Sequence, residues 1–233
     1  MVVATTSKLT APKLKKPSLA AKAKARLEPV RDAERTQQAL LTAAEAEFAS
    51  KGLAGARVDV IAEQADANKR MLYYYFGSKE DLYLAVLERA YGAMRETERN
   101  LNLADLEPLE AIKTLVEFKF DYYTAHQSII SLLAGENLSG AAFLKRSRKL
   151  REMQTSLVDV IRRVLAAGEG KGVIRKGLDP LNLYLSISAL GYFYFSNAAT
   201  LSVAFGRQLL SEEERNQRRE HCIDVIMSYV TAR

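Results

Sequence analysis

Apolar residues recur every three to four positions from residue 39 to residue 230, and no stretch alternates apolar with polar residues between turn dipeptides. The first spacing is the period of an α-helix and the second would be that of a strand. The chain is therefore expected to be all-α. Its 233 residues, 48% of them hydrophobic, are enough for a core in one to two domains. Ala39, Leu40, Ala43, Ala44, Ala46 and Phe48 place an apolar stripe on a helix over 33–50, which Gly52 stops. Short helices are predicted over 58–65 and 69–76. Ser78 and Asp81 have capping-box spacing and open a long helix to about residue 100. Pro108 suits the first position of a helix over 108–124. Helices over 127–135 and 141–167 follow, the second ended by the glycine-rich stretch 168–172. Asp179-Pro180 opens a helix over 180–205, and Ser211 with Glu214 opens the last, over 211–231.

Charge is distributed unevenly. Residues 1–30 hold seven basic residues (Lys8, Lys13, Lys15, Lys16, Lys22, Lys24 and Arg26) against the single acid Glu28. That stretch carries the whole net charge of +6, and residues 31–233 are neutral overall. A like-charged Ala/Lys/Pro segment has too little apolar surface to fold alone, so 1–30 is expected to be a disordered arm. The same charge also suits an arm that follows phosphates or enters a minor groove. Its lysines interrupt any apolar run of the kind a secretory leader needs. The single Cys222 precludes an internal disulfide and fits a reducing cytoplasm. Residues 180–206 carry no charge, yet Asn182, Ser186, Ser188, Ser196, Asn197, Thr200 and Ser202 punctuate them. A helix buried by protein is expected there rather than a membrane span.

The most informative stretch for function is 33–82. A helix, a short turn, a short helix, a second turn and another short helix form the unit that sets a recognition helix into a DNA major groove. Val58, Ile61, Ala62, Leu72 and Phe76 have inward spacing. Lys69, Arg70, Tyr73, Tyr74 and Tyr75 cannot all join them, because consecutive residues sit about 100° apart. Three basic residues and no acid lie between Asn68 and Lys79 inclusive. Basic and phenolic groups on an exposed helix suit phosphates and base edges, whereas ordinary core packing is the alternative for the tyrosines.

Gly52, the run from Val58 through Ala65, and Leu72-Tyr73-Tyr74-Tyr75-Phe76-Gly77-Ser78-Lys79-Glu80-Asp81-Leu82 together resemble the DNA-binding signature of the TetR family. The resemblance implies an N-terminal three-helix helix-turn-helix DNA-binding domain over 31–80. It also implies a C-terminal helical ligand-binding and dimerisation domain over 81–233. By the same resemblance, Lys69, Arg70 and Tyr74 fall where family members meet bases. Tyr73, Tyr75 and Lys79 fall where they meet phosphates, and Arg57 lies near the DNA backbone. Three positions depart from the family pattern. Asp66 replaces the usual turn glycine, Ala56-Arg57 stands where Thr or Ser caps the second helix, and Arg70 replaces a small residue. Asp tolerates a left-handed turn, a lost cap costs about 1 kcal/mol, and Arg pairs bidentately with guanine.

Farther along, the segment from Glu107 to Lys119 resembles the effector domain of RutR-like, pyrimidine-responsive members. On the helix over 108–124, Glu110, Lys113, Thr114, Glu117, Asp121 and Thr124 form a polar stripe. Lys119 stands about 180° from its centre, among apolar residues. A lysine there snorkels, pairs with a buried acid such as Glu136, or lines a wet cavity for an anionic or carbonyl-bearing ligand. Tyr122, Tyr123, His126, Phe143, Tyr192, Phe195 and Asn197 are further effector-pocket candidates, against plain core packing for the aromatics and a capping or supporting role for His126. The helices over 180–205 and 211–231 carry more apolar surface than one small domain buries. They are expected to pair with their symmetry mates as a four-helix bundle, so that a homodimer meets a palindromic duplex.

No metal-spaced ligand set, phosphate-cradling glycine loop or nucleophile elbow is present in the sequence. The chain is therefore expected to be neither an enzyme nor a carrier of a cofactor or metal. The expected function is a ligand-responsive transcriptional repressor, released from a palindromic operator by a small molecule such as a carboxylated or carbonyl-bearing heteroaromatic, in competition with a non-specific DNA-binding protein and, more remotely, an enzyme.

Overall fold

The computed structural model describes residues 19–232, with side chains from Asp32 onward apart from Arg151 and residues 153–156. Nine α-helices are seen among them: α1 (Leu19–Gly55), α2 (Val58–Gln64), α3 (Lys69–Phe76), α4 (Lys79–Arg99), α5 (Pro108–Ala125), α6 (Gln127–Leu138), α7 (Arg148–Gly170), α8 (Pro180–Phe205) and α9 (Glu212–Val230). No strand forms among the described residues beyond an isolated bridge between Ile174 and Thr231.

Residues 19–30, expected in a disordered arm, are helical and continuous with α1. Alanine, lysine and leucine rank among the best helix formers, and extending an existing helix avoids the cost of a new nucleus. The rest of the proposed arm, 1–18, lies outside the described residues. Gly52 interrupts α1 with φ 66° and ψ 175°, at the stop predicted for it. Leu40, Ala44 and Phe48 of α1, Ile61 and Ala62 of α2, Leu72 of α3 and Leu82 of α4 form the buried centre of the N-terminal part. Val58 and Phe76 are only partly buried against it.

The helix α6 runs three residues past the predicted end at 135, and α7 is displaced at both ends. The helix predicted over 141–167 begins instead at Arg148, because Gly140 and Ala141 take positive φ (66° and 60°) and a 3-10 turn, Leu144–Arg146, intervenes. Ser147 then caps α7 by accepting the amide of Leu150 at 3.1 Å. At its other end α7 passes through Gly168 and stops at Gly170. Gly168 is a packing residue rather than a break: a Cβ there would lie 2.5 Å from Ile174 Cδ1.

In the C-terminal part α5 is the central helix, packed against α7, α8 and α9, while α6 lies on α1. The polar stripe of α5 is met at one edge by α9, whose Arg219 lies 3.5 Å from Glu117 and 2.8 Å from Asp121. The helix α4 belongs to both halves. Its first turn is capped by Ser78, which accepts the Asp81 amide at 3.0 Å, and its last turns reach the core beside α5.

Candidate nucleic-acid interface and effector cavity

The turn between α2 and α3 is made by Asp66, at φ 49°, and closed by the Ala67 amide on Ala62 O at 2.9 Å. Aspartate is among the few non-glycine residues that visit this region readily. Asn68 then caps α3, its side chain accepting the Met71 amide at 3.0 Å. These contacts fix the orientation of an eight-residue rod. Lys69, Arg70, Tyr73 and Tyr74 share its solvent face, with Tyr74 83% exposed. Tyr75 is turned the other way and packs half-buried against the core, with its ring 5.3 Å from that of Tyr74. Lys79 is half-buried at the start of α4, its Nζ 3.4 Å from Ala54 O.

No side chain of Arg57 or Ala56 caps α2. Glu47 of α1 takes the Arg57 amide instead, at 3.1 Å, and the Arg57 guanidinium pairs with Asp59 at 2.6 Å. That hydrogen bond and charge hold Arg57 above and Asp59 below their ordinary pKa values. The missing cap is thus replaced from within the protein.

The second candidate site is a buried charge cluster where α4, α5 and α8 meet. Lys119 (1% exposed) lies 2.8 Å from Glu98 Oε1, and Arg95 pairs with the same carboxylate. Arg95 also donates to the Tyr184 hydroxyl at 2.8 Å. Burial raises the pKa of Tyr184, and Lys119, Arg95 and the Arg95 hydrogen bond outweigh it, leaving the phenol below its usual value. Burial holds Tyr91 and Tyr123 well above theirs. A cavity of about 340 Å³ opens beside the cluster, walled by Tyr91, Arg95, Tyr123, Leu133, Tyr184 and Tyr192. Gly191 leaves room for the Tyr123 ring, which a Cβ would meet at 3.1 Å. A second cavity of about 380 Å³ lies on the other side, with Arg95 and Glu98 in its wall.

Comparison with known proteins decides the lineage. Residues 40–86 match the model for bacterial regulatory proteins of the tetR family, and 108–226 match that for the tetracyclin repressor-like C-terminal domain. The chain is 40% identical over 170 residues to the HTH-type transcriptional repressor NicS of Pseudomonas putida, covering 73% of this chain and 80% of that protein. The chain belongs to the TetR family. The HTH-type transcriptional regulator RutR of Escherichia coli K12 is 30% identical over 197 residues, 84% of this chain and 91% of RutR. The crystal structure of SCO4942 from Streptomyces coelicolor superposes with a TM-score of 0.63 at 26% identity, covering 84% of this chain and 98% of the other. TetR-family proteins are DNA-binding, ligand-responsive transcriptional regulators that act as dimers.

Within this TetR-family fold the expected effector residues separate into two groups. Lys119, Tyr123 and Tyr192 meet at the cluster and its cavity; Lys119 stands behind the wall, its Nζ 5.2 Å from the Tyr184 ring centre and 6.0 Å from that of Tyr123. Its acid partner is Glu98, not Glu136, whose Oε1 accepts the amides of Phe143 and Leu144 at 2.9 and 3.2 Å. The others lie apart from the cavity. Tyr122 stacks on His126 with ring centres 4.3 Å apart, and His126 is exposed at the α5–α6 junction. Phe143 packs edge-on against Tyr83 at 5.0 Å, and Phe195 packs on Phe120 at 5.1 Å. Asn197 donates to Phe193 O along its own helix, at 2.9 Å. Arg95, Glu98, Tyr91 and Tyr184 escaped the sequence reading. A signal was present, since Glu98 follows Leu87, Tyr91 and Met94 on one apolar stripe of α4, where a charge is out of place.

Proposed function

We propose that this protein is a repressor which holds a palindromic operator as a homodimer and leaves it when a small organic molecule fills the C-terminal cavity. The observation that carries the reading is the acid-free solvent face of α3, with Lys69, Arg70, Tyr73 and Tyr74 on a rod held by the Asp66 turn and the Asn68 cap. On this reading Arg70 reads a guanine edge, Lys69 and Tyr74 meet neighbouring bases, and Tyr73, Lys79 and Arg57 follow phosphates. Tyr75 supports the rod from behind.

Dimerisation through α8 and α9 is supported by the apolar surface these helices leave uncovered, including Leu181, Leu185, Phe193, Val225 and Tyr229. Two-fold symmetry then sets the two α3 helices about one DNA turn apart. The helix α4 runs from the α3 turn to the charge cluster, so displacement of its end by a ligand tilts the DNA-binding part. A coupling of about 1–3 kcal/mol changes DNA affinity roughly 5–150-fold. NicS and RutR, named as a transcriptional repressor and regulator, support regulation as the output.

Footprinting on genomic fragments tests the proposal. A protected two-fold-symmetric site is expected. Arg70→Ala is expected to cost about 1–3 kcal/mol and relax one base position, while Lys79→Ala weakens all sequences alike and lowers the salt slope by about one. Uniform protection without a preferred site would overturn the regulator in favour of non-specific DNA binding.

A further inference from the structure

Resting on the reading of α8 and α9 as the dimer face, we infer that α9 packs antiparallel on α9 of a second copy about a two-fold axis at His221, with Arg218 paired to Asp224 of the partner subunit on either side. The starting observation is a guanidinium short of partners on an apolar surface. Arg218 is half-buried and donates one nitrogen to Leu190 O at 3.2 Å. Its Nε is buried with no hydrogen-bond partner, and it forms no ion pair among the described residues. Arg218 and Phe193 stand between two hollows, one of about 400 Å³ toward Phe205 and His221 and one of about 440 Å³ toward Val225 and Tyr229. Phe193, Phe205, Val225 and Tyr229 are all exposed, so the guanidinium lies within the surface that a second copy covers.

A copy that brought only apolar groups would strand this cation away from water, so the surface accepts one that brings a carboxylate. No carboxylate can come from α8, because 180–206 carry no charge. The source is therefore α9. Glu212 and Glu213 lie in its first turn, where the free amides of the helix end already favour them. Glu214 pairs with Arg207 at 2.7 Å and Glu220 with Arg219 at 3.2 Å. Asp224 is exposed beside Val225 and forms no ion pair among the described residues. Symmetry then fixes the register, since in a two-fold interface every contact occurs twice in reciprocal order. Arg218 and Asp224 each stand three residues from His221, about 4.5 Å along the helix. Antiparallel helices meeting at His221 thus bring Arg218 to Asp224 of the partner subunit and Asp224 to the partner's Arg218 together. Helical spacing puts Arg218, His221, Val225 and Tyr229 on one face, which Asp224 flanks. Two such pairs select one register and one partner on a face where apolar contacts alone leave both open.

The test is sedimentation of the full chain over a dilution series. Arg218→Glu and Asp224→Lys are each expected to weaken the dimer about a hundredfold, and the two together to bring it back to within about tenfold of the wild type. Asp224 is exposed, so its variant folds whatever becomes of the Arg218 variant. The register is read separately by a thiol cross-link. In a chain carrying Cys222→Ala and His221→Cys, a short bis-maleimide is expected to join the two copies through position 221. Single charge variants as dimeric as the wild type overturn the inference. So does a folded double variant no better than the single ones, or a dimer that does not cross-link at 221. Phe193→Glu is the control for the dimer face itself. If that variant stays dimeric, the reading of the face fails; if it separates the copies while the charge variants do not, the pairing of Arg218 with Asp224 of the partner subunit fails alone.

Discussion

Glu98 is the residue on which the interior of the C-terminal part turns. It is 3% exposed and pairs with two buried cations, Arg95 and Lys119. Removing one partner of a buried charge group leaves the remainder uncompensated, at a cost of about 3–5 kcal/mol. Glu98→Ala, which leaves two buried cations without this carboxylate, is therefore expected to lower unfolding stability by several kcal/mol, and by more than Lys119→Met, which leaves Arg95 paired with Glu98. Urea midpoints of the two variants check this. A larger loss for Lys119→Met than for Glu98→Ala would show that the charge balance has been assigned wrongly.

Among the elements, α1, α4 and α6 are joined by one carboxylate. Glu45 of α1 accepts from Arg89 of α4 at 2.6 Å and from Ser128 of α6 at 2.7 Å, and Arg89 further holds Leu41 O and Thr42 Oγ1 of α1. Both helices that reach Glu45 also reach the cavity, α4 through Tyr91 and Arg95 and α6 through Leu133. On the proposed function this carboxylate is the link by which movement at the cavity reaches α1, on which α2 and α3 pack. Glu45→Gln weakens charge-assisted bonds that are partly open to solvent, for an expected loss of about 1 kcal/mol. Hydrogen exchange of α1 amides is expected to accelerate while those of α8 keep their protection. Equal acceleration in both helices would mean general destabilisation rather than a local clamp.

At the scale of the whole molecule, the proposed dimer rests on the apolar side chains that α8 and α9 leave uncovered. Phe193 is 56% exposed, an unusual setting for a phenylalanine, and lines one groove with Val225 and Tyr229. Phe193→Glu is expected to convert the dimer to a monomer in analytical ultracentrifugation. Because two half-sites are then no longer held together, duplex affinity is expected to fall about a hundredfold or more. A variant that stays dimeric, or a monomer with undiminished affinity, places the interface elsewhere.

Sequence alone determined the all-helical fold, most helix starts and the outward character of Lys69, Arg70 and Tyr74, because helical period and capping are local and are set within a turn or two. Asp66 was legible as a left-handed turn through the family resemblance, which places a glycine at that position. Lys119 was legible as anomalous, since its place opposite a polar stripe needs only the angle per residue. Its partner was not. The choice of Glu98 over Glu136 depends on how α4 crosses α5, which involves positions 21 residues apart in the chain and side-chain directions that spacing cannot supply. The same holds for His126 and Asn197, whose helix faces turned away from the cavity, and for Gly168, whose function is to admit Ile174. Tertiary packing decided which charges meet and where space remains, because those outcomes are set by contacts between helices rather than along them.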